Sequence, residues 1–207
     1  MAKLFFRYGA MGCGKTLHLL QVAYNYEKRD MPVCVAKPNI DTKQGTKVVT
    51  RLGLERDTDI CFSTNADLYQ IIQTKYYFAN CILIDEAQFL TKAQVEQLLD
   101  VTVDLNIPVI AYGLRLNSNL TDKGFEGATR LLQLAHEIEE LETICECGRK
   151  ATLTGRFSNG KILVNEPPIL IDGKRANTEY RALCPVCYKR YKQGITTPEQ
   201  INDWRLP

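Results

Sequence analysis

No apolar run in this chain approaches the ~20 residues that a helix needs to cross a bilayer, which argues against a helical membrane span. Charge of one sign is also missing. Lys and Arg number 26 against 24 Asp and Glu, for a net charge of +2, so no global field marks a partner for nucleic acid or for an acidic surface. The only two histidines, His18 and His136, have no ligand-like neighbours in sequence and read as structural or surface groups. Repeats and low-complexity tracts are absent. The opening Met-Ala-Lys-Leu-Phe-Phe-Arg-Tyr lacks an extended apolar segment and a small-residue cleavage site, so no signal peptide is expected. These absences point to a cytoplasmic protein. Its 207 residues suit one α/β domain with a small appendage.

What is present begins at residue 9. Gly9-Ala10-Met11-Gly12-Cys13-Gly14-Lys15-Thr16 fits the phosphate-loop pattern G-x-x-x-x-G-K-[ST] at every fixed position. Glycines let the backbone fold around a phosphate chain with its N–H groups turned inward. Lys15 supplies a point charge for the outer phosphates, and the Thr16 hydroxyl is a natural Mg²⁺ ligand. The strand-like residues 3–8 lead in, and Leu17, Leu20 and Tyr24 follow at helical spacing. The alternative is a glycine-rich strand-to-helix turn with no ligand.

Its expected partner is Cys81-Ile82-Leu83-Ile84-Asp85-Glu86. Four apolar residues bury a strand, and the acids emerge at its C-terminal edge, where open α/β sheets bind their ligands. Asp85 is placed to hold Mg²⁺ opposite Thr16, and Glu86 to reach the attacking nucleophile. Acids decorating a helix N-terminus are the bland alternative. The nucleophile decides the class: water makes an ATPase, a small-molecule hydroxyl makes a kinase. No Asn-Lys-x-Asp motif is present, which counts against a GTPase.

Strand-like and helix-like segments alternate up to about residue 143. Residues 32–37, 59–62, 81–85 and 108–113 read as further strands. Helices carry Leu68, Ile71, Ile72 and Tyr76, then Val95, Leu98, Leu99 and Thr102, then Ala128, Leu131, Leu132 and Ala135. Residues 38–57 are polar and read as a functional loop, and residues 137–143 as a lead into the first cysteine pair. Continuous apolar strands between amphipathic helices predict an α/β fold, a mostly parallel sheet with helices on both faces. Residues 1–143 are thus expected to form a nucleotide-binding domain, 144–192 a small second domain, and 193–207 a polar tail.

Eight cysteines fall into two groups. Cys13, Cys34, Cys61 and Cys81 are single, and the last three sit in strand-like runs where a reduced thiol packs as a small hydrophobe. Cys145-x-Cys147 and Cys184-x₂-Cys187 supply four thiolates, a closed tetrahedral set for a structural Zn²⁺. Disulfides or free thiols are the alternatives, disfavoured in a reducing compartment. The 36 intervening residues exceed a usual ribbon spacing and suggest a β-hairpin plus a long loop.

The set of residues 9–16, Asp85-Glu86-Ala87-Gln88-Phe89, Tyr112-Gly113-Leu114-Arg115, Phe125-Glu126-Gly127, Cys145-Glu146-Cys147-Gly148 and Tyr180 ahead of Cys184-Pro185-Val186-Cys187 resembles the cytosolic-type, zinc-containing thymidine kinases. The resemblance covers residues 2–191. It implies a P-loop (RecA-like) domain with a zinc domain bearing a lasso loop, and a homotetramer that transfers phosphate from ATP with Mg²⁺ to thymidine. Glu86 becomes the general base for the 5′-hydroxyl, with Asp85, Ala87 and Gln88 beside the phosphates and metal. Arg51 matches an arginine near the phosphates, although a surface-loop arginine reads the same in sequence. Phe89, Leu114, Phe125 and Tyr180 fall on the nucleoside, together with lasso residues Ile171, Asp172 and Gly173. Tyr180 also reads as core filler beside the metal. Two departures fall on base recognition: Arg115-Leu116-Asn117-Ser118-Asn119-Leu120 replaces an Arg-Thr-Asp-Phe whose phenylalanine packs on the base, and the lasso is longer. Lys189, Arg190 and Lys192 offer the one hook for another class, a zinc-ribbon P-loop ATPase acting on nucleic acid. That reading needs a second motor domain, so nucleic acid is not the expected partner, nor is a membrane.

Overall fold

The computed structural model describes residues 1–39, 45–118, 124–164 and 178–195. Its frame is a six-stranded sheet of β1 (Leu4–Tyr8), β2 (Val33–Pro38), β5 (Ile60–Phe62), β6 (Cys81–Ile84), β7 (Val109–Gly113) and β8 (Glu137–Glu140), ordered β5-β2-β6-β7-β1-β8. Every pairing in it is parallel.

Parallel sheets need both faces covered, and the strand residues divide accordingly. Ile82 and Ile84 of β6 join Leu4, Phe6, Val109 and Ala111 under α2 (Leu68–Lys75), α3 (Lys92–Asp104) and α4 (Glu126–Leu134). Cys81 and Leu83 point the other way, with Ile110 and Tyr112, toward α1 (Lys15–Glu27). The helix starts are specified locally. Asp67 Oδ1 accepts the Gln70 N–H at 2.9 Å, and Thr91 and Gln94 form a reciprocal capping box at 3.2 and 3.1 Å, each such cap contributing about 1 kcal/mol. Among the described residues no helix is long and apolar enough to cross a membrane.

Four expectations need correction. Residues 38–57 are not all loop: β3 (Lys47–Val49) and β4 (Glu55–Asp57) pair antiparallel within them. Residues 137–140 form an edge strand, β8, rather than a mere lead-in; its Glu-Ile-Glu-Glu sequence hides it, since acids are poor strand formers but suit an exposed edge. The buried face of α1 is Lys15, Leu19 and Ala23, and Tyr24 is 59% exposed. That phase is set by the Lys15 side chain turning inward to the loop. Cys61 is exposed, unlike buried Cys34 and Cys81, because β5 is the edge strand and only Ile60 and Phe62 face the core.

A second, antiparallel sheet runs β10-β9-β11, from β9 (Leu153–Ser158), β10 (Lys161–Ile162) and β11 (Thr178–Leu183), followed by α5 (Pro185–Lys192). The β9–β10 turn at Asn159-Gly160 has φ of 49° and 73°, the left-handed pair that an Asn-Gly hairpin favours. Leu183 and Phe157 pack with Cys145, Cys184, Cys187, Tyr188 and Tyr191 in a separate small core.

Candidate active site

Residues 9–16 join β1 to α1 at the C-terminal end of the sheet. Gly12 and Gly14 hold φ of 83° and 87°, which side-chain-bearing residues adopt at a cost. Lys15 is buried, and its Nζ donates to the carbonyls of Gly9 and Ala10 at 3.1 and 3.0 Å. The ammonium is therefore held inside the loop. Two residues from distant segments complete its walls. Arg51, exposed in the β3–β4 hairpin, lies so close that a Cβ on Gly12 would sit 3.1 Å from its Nη1. Thr154 of β9 accepts the Met11 N–H at 3.0 Å.

Across the sheet edge, the Thr16 hydroxyl donates to Asp85 Oδ2 at 3.3 Å. The sequence pattern's two halves thus meet. Burial pushes the Asp85 carboxyl up to about 7, helped by the negative charge of Glu86 and opposed by the Glu86 N–H, Lys15 and Thr16. Glu86 itself is half-buried and sits at φ 52°, ψ 37°, a left-handed backbone that costs a non-glycine residue about 1–2 kcal/mol. Strain of this kind persists only where neighbours over-determine it, and it clusters at functional sites.

Gln88 is the neighbour that does so. It lies in the 3₁₀ turn Ala87–Phe89, is 2% exposed, accepts the Leu114 N–H on Oε1 at 3.0 Å and donates from Nε2 to the Glu86 carboxylate. Two glycines let the chain close around this turn. A Cβ on Gly113 would lie 2.9 Å from the Gln88 N, and one on Gly127 would lie 2.6 Å from the Leu90 carbonyl. The same packing brings Phe89 edge-on to Phe125, with centroids 5.5 Å apart at 83°, and places Leu114 directly beside Gln88. Tyr180 is half-buried on β11, opposite Arg156 of β9. In that register Tyr180, Arg156 and Thr154 share one face of the small sheet, the face that reaches Met11. Ile171, Asp172 and Gly173 lie outside the described residues.

The four paired cysteines converge, with ligand atoms all within 4.8 Å of one another. Cys147 and Cys184 Sγ are 3.6 Å apart, well beyond the ~2.05 Å of a disulfide and near the ~3.8 Å edge of a tetrahedron with ~2.3 Å metal–sulfur bonds. Gly148, at φ 81°, turns the first pair, and its N–H returns to the Cys145 carbonyl at 2.8 Å. The second pair opens α5, where Cys184 Sγ accepts the Cys187 N–H at 3.4 Å. The cluster can hold one tetrahedral metal ion.

Sequence reasoning missed two contributors. Thr154 caps the loop from 143 residues away, and no local signal announces such a contact. Lys37 is buried in β2 and donates to the Lys47 carbonyl at 2.8 Å, holding the base of the hairpin that carries Arg51. A lone cation in the apolar run Val33-Cys34-Val35-Ala36 was its available signal.

A parallel sheet with this loop after β1 and an acid pair at the end of β6 defines a phosphate-loop nucleotide-binding protein. Within that class the chain belongs to the thymidine kinase family, whose sequence model matches residues 2–188. It is 42% identical over 193 residues to a thymidine kinase of Rhodopirellula baltica, covering 91% of this chain and 89% of that protein. A thymidine kinase of Legionella pneumophila strain Lens is 44% identical over 206 residues, covering 96% and 94% of the two chains. Among solved structures, Pif1 helicase from Candida albicans aligns over 68% of this chain and 36% of that chain, at 13% identity and a TM-score of 0.41. A likeness that low bears on nothing further.

The Asp85 shift sets a pH dependence. Its unfolded value is about 3.9, so between about pH 4 and 7 the folded carboxyl holds a proton that the unfolded one has lost. Stability contributed by this group therefore falls as pH rises through that window. Without nucleotide or divalent cation, Asp85→Asn is expected to melt above wild type at pH 8, with the gap closing at pH 5. Thermal melts at the two pH values check this, and a gap that is constant or wider at pH 5 contradicts it.

Proposed function

We propose that this protein is an ATP-dependent nucleoside kinase that transfers the γ-phosphoryl group of ATP to the 5′-hydroxyl of thymidine, yielding dTMP for pyrimidine salvage. One observation carries the reading beyond family membership. Glu86, an acid for which a left-handed backbone is costly, is held in one, one residue beyond the carboxylate that faces Thr16.

The roles follow from the chemistry. Phosphoryl transfer has a loose transition state, so positioning and charge neutralisation matter more than a strong base. The backbone N–H groups of residues 9–16 and Lys15 would take the phosphate chain. Thr16 and Asp85 present the hard oxygen donors that Mg²⁺ prefers, and Mg²⁺ when bound neutralises charge on the β- and γ-phosphates. Asp85 would then be ionised, because a divalent cation reverses the effect of burial. Glu86 accepts the 5′-hydroxyl proton, with Gln88 holding its carboxylate in place. Arg51, whose guanidinium lies against Gly12, would serve as a countercharge for the transferring group. Phe89, Leu114, Phe125 and Tyr180 would enclose the nucleoside, with Ile171, Asp172 and Gly173 covering it.

The cysteine cluster suits Zn²⁺. Burial pushes the Cys145 and Cys187 thiols up, whereas at Cys147 burial is outweighed by hydrogen bonds from the Arg149 N–H and neighbouring thiols, which bring it down. A bound cation would favour the thiolate form of all four. With no position left open, the metal would serve structure, stapling a small sheet whose own core is slight. We assign residues 1–143 to the nucleotide-binding domain, 144–192 to the metal-bearing lasso domain and 193–207 to a tail. We infer a cytoplasmic homotetramer as the working form, which the resemblance of its motifs to the zinc-containing thymidine kinases supports.

Glu86→Gln is expected to keep ATP and thymidine binding while kcat falls ~10²–10⁴-fold, the typical loss for a positioned base. A coupled ADP-release assay started with thymidine measures it; near-normal kcat would remove the base assignment. Purified protein is also expected to carry about one Zn²⁺ per chain, and the Cys184→Ser/Cys187→Ser double variant to lose it. Elemental analysis showing full metal in that variant would rule the site out.

A further inference from the structure

Helix α5 begins at the second cysteine pair, yet one of its side chains reaches far from the metal cluster. Tyr188, directly after Cys187, is 4% exposed, and its ring packs among Cys145, Cys184, Phe157 and Tyr191. Its hydroxyl leaves that core and donates to the Ser118 carbonyl at 3.0 Å, a bond buried on both sides and spanning 70 residues of sequence. Ser118 lies in the segment that follows β7. That segment starts at Leu114, whose N–H is held by Gln88. Further along it Asn117 and Ser118 are 3% and 6% exposed, unusual burial for two polar residues in a connecting segment. Both ends of residues 114–118 are therefore pinned by side chains, one from the acid-bearing turn and one from the metal cluster.

We propose that Tyr188 is a positioning residue for nucleoside recognition: its hydroxyl fixes the segment 114–118, and so ties the shape of the base pocket to the cysteine cluster. This deepens the kinase reading above and rests on it. A buried carbonyl that loses its donor must find water or move. Movement at Ser118 shifts the wall next to Leu114, while the loop at residues 9–16 has its own tether to the small sheet through Thr154 and Met11. Loss of the Tyr188 hydroxyl should therefore disturb the nucleoside side and spare the phosphate side. The bond also gives metal loading a route to substrate affinity, because the ring that positions the hydroxyl is part of the cluster's apolar shell.

Tyr188→Phe in the full chain tests this, since it removes one oxygen and keeps the ring. The expected result is a rise of about three- to ten-fold in KM for thymidine, the size of one net hydrogen bond. KM for ATP, kcat and bound metal should stay near wild type, and amide hydrogen exchange should quicken over residues 114–118 while residues 9–16 keep their protection. An unchanged KM for thymidine with unchanged exchange overturns the proposal. So does a fall in kcat together with an equal rise in KM for ATP, or loss of fold or metal, because the hydroxyl would then serve the core and not the pocket. Should wild-type protein fail to phosphorylate thymidine, the kinase reading falls, and hydrogen exchange alone still decides whether Tyr188 holds the segment.

Discussion

The site depends on one buried amide. Gln88 sits between the end of β7 and the start of α4, where water does not reach, so both ends of its side chain must find protein partners. One end takes the Leu114 N–H, and the other holds the Glu86 carboxylate. This fixes the acid at the mouth of β6 and the first residue of the pocket wall through one side chain. It also explains why glycines stand at 113 and 127. Any Cβ there would collide with the turn that carries Gln88, and overpacking of that kind costs typically about 1–3 kcal/mol. The strained backbone at Glu86 is then a consequence, maintained by neighbours that leave no relaxed alternative.

Around the loop and that turn the molecule gathers groups from four directions. Arg51 comes from a hairpin whose base Lys37 holds, Thr154 from the small sheet, Phe125 from the approach to α4, and Tyr188 from the metal cluster. The small sheet and the helix that follows it thus touch both halves of the site, the sheet through Thr154 on Met11 and α5 through Tyr188 on Ser118. A metal ion held by the four cysteines would accordingly bear on chemistry it never contacts. Rigidity of the cysteine cluster becomes rigidity of two site walls.

The local parts of this arrangement were legible in the sequence. Residues 9–16 and 81–86 announce themselves because a phosphate loop and a buried strand ending in acids each require particular residue types at fixed spacing. The cysteine pairs do so because tetrahedral ligation needs two tight turns. What stayed hidden was either very short or distant. The strands β3 and β4 have three residues each, too few for alternation to register, and Glu55-Arg56-Asp57 looks like loop. The phase of α1 escaped because a lysine, not an apolar residue, begins its buried face. Thr154 and Tyr188 act over 143 and 70 positions, and pattern within a window carries no trace of such pairings.

The central claim is that the acid pair at the end of β6 delivers phosphate to a nucleoside hydroxyl and not to water. Following the label of γ-³²P-ATP tests it most directly, with Mg²⁺ present and thymidine, other nucleosides or single-stranded DNA added in separate reactions. The account predicts label in thymidine 5′-monophosphate, with little inorganic phosphate formed and no stimulation by DNA. Label released as inorganic phosphate and increased by single-stranded DNA, with no labelled nucleotide product, would contradict it.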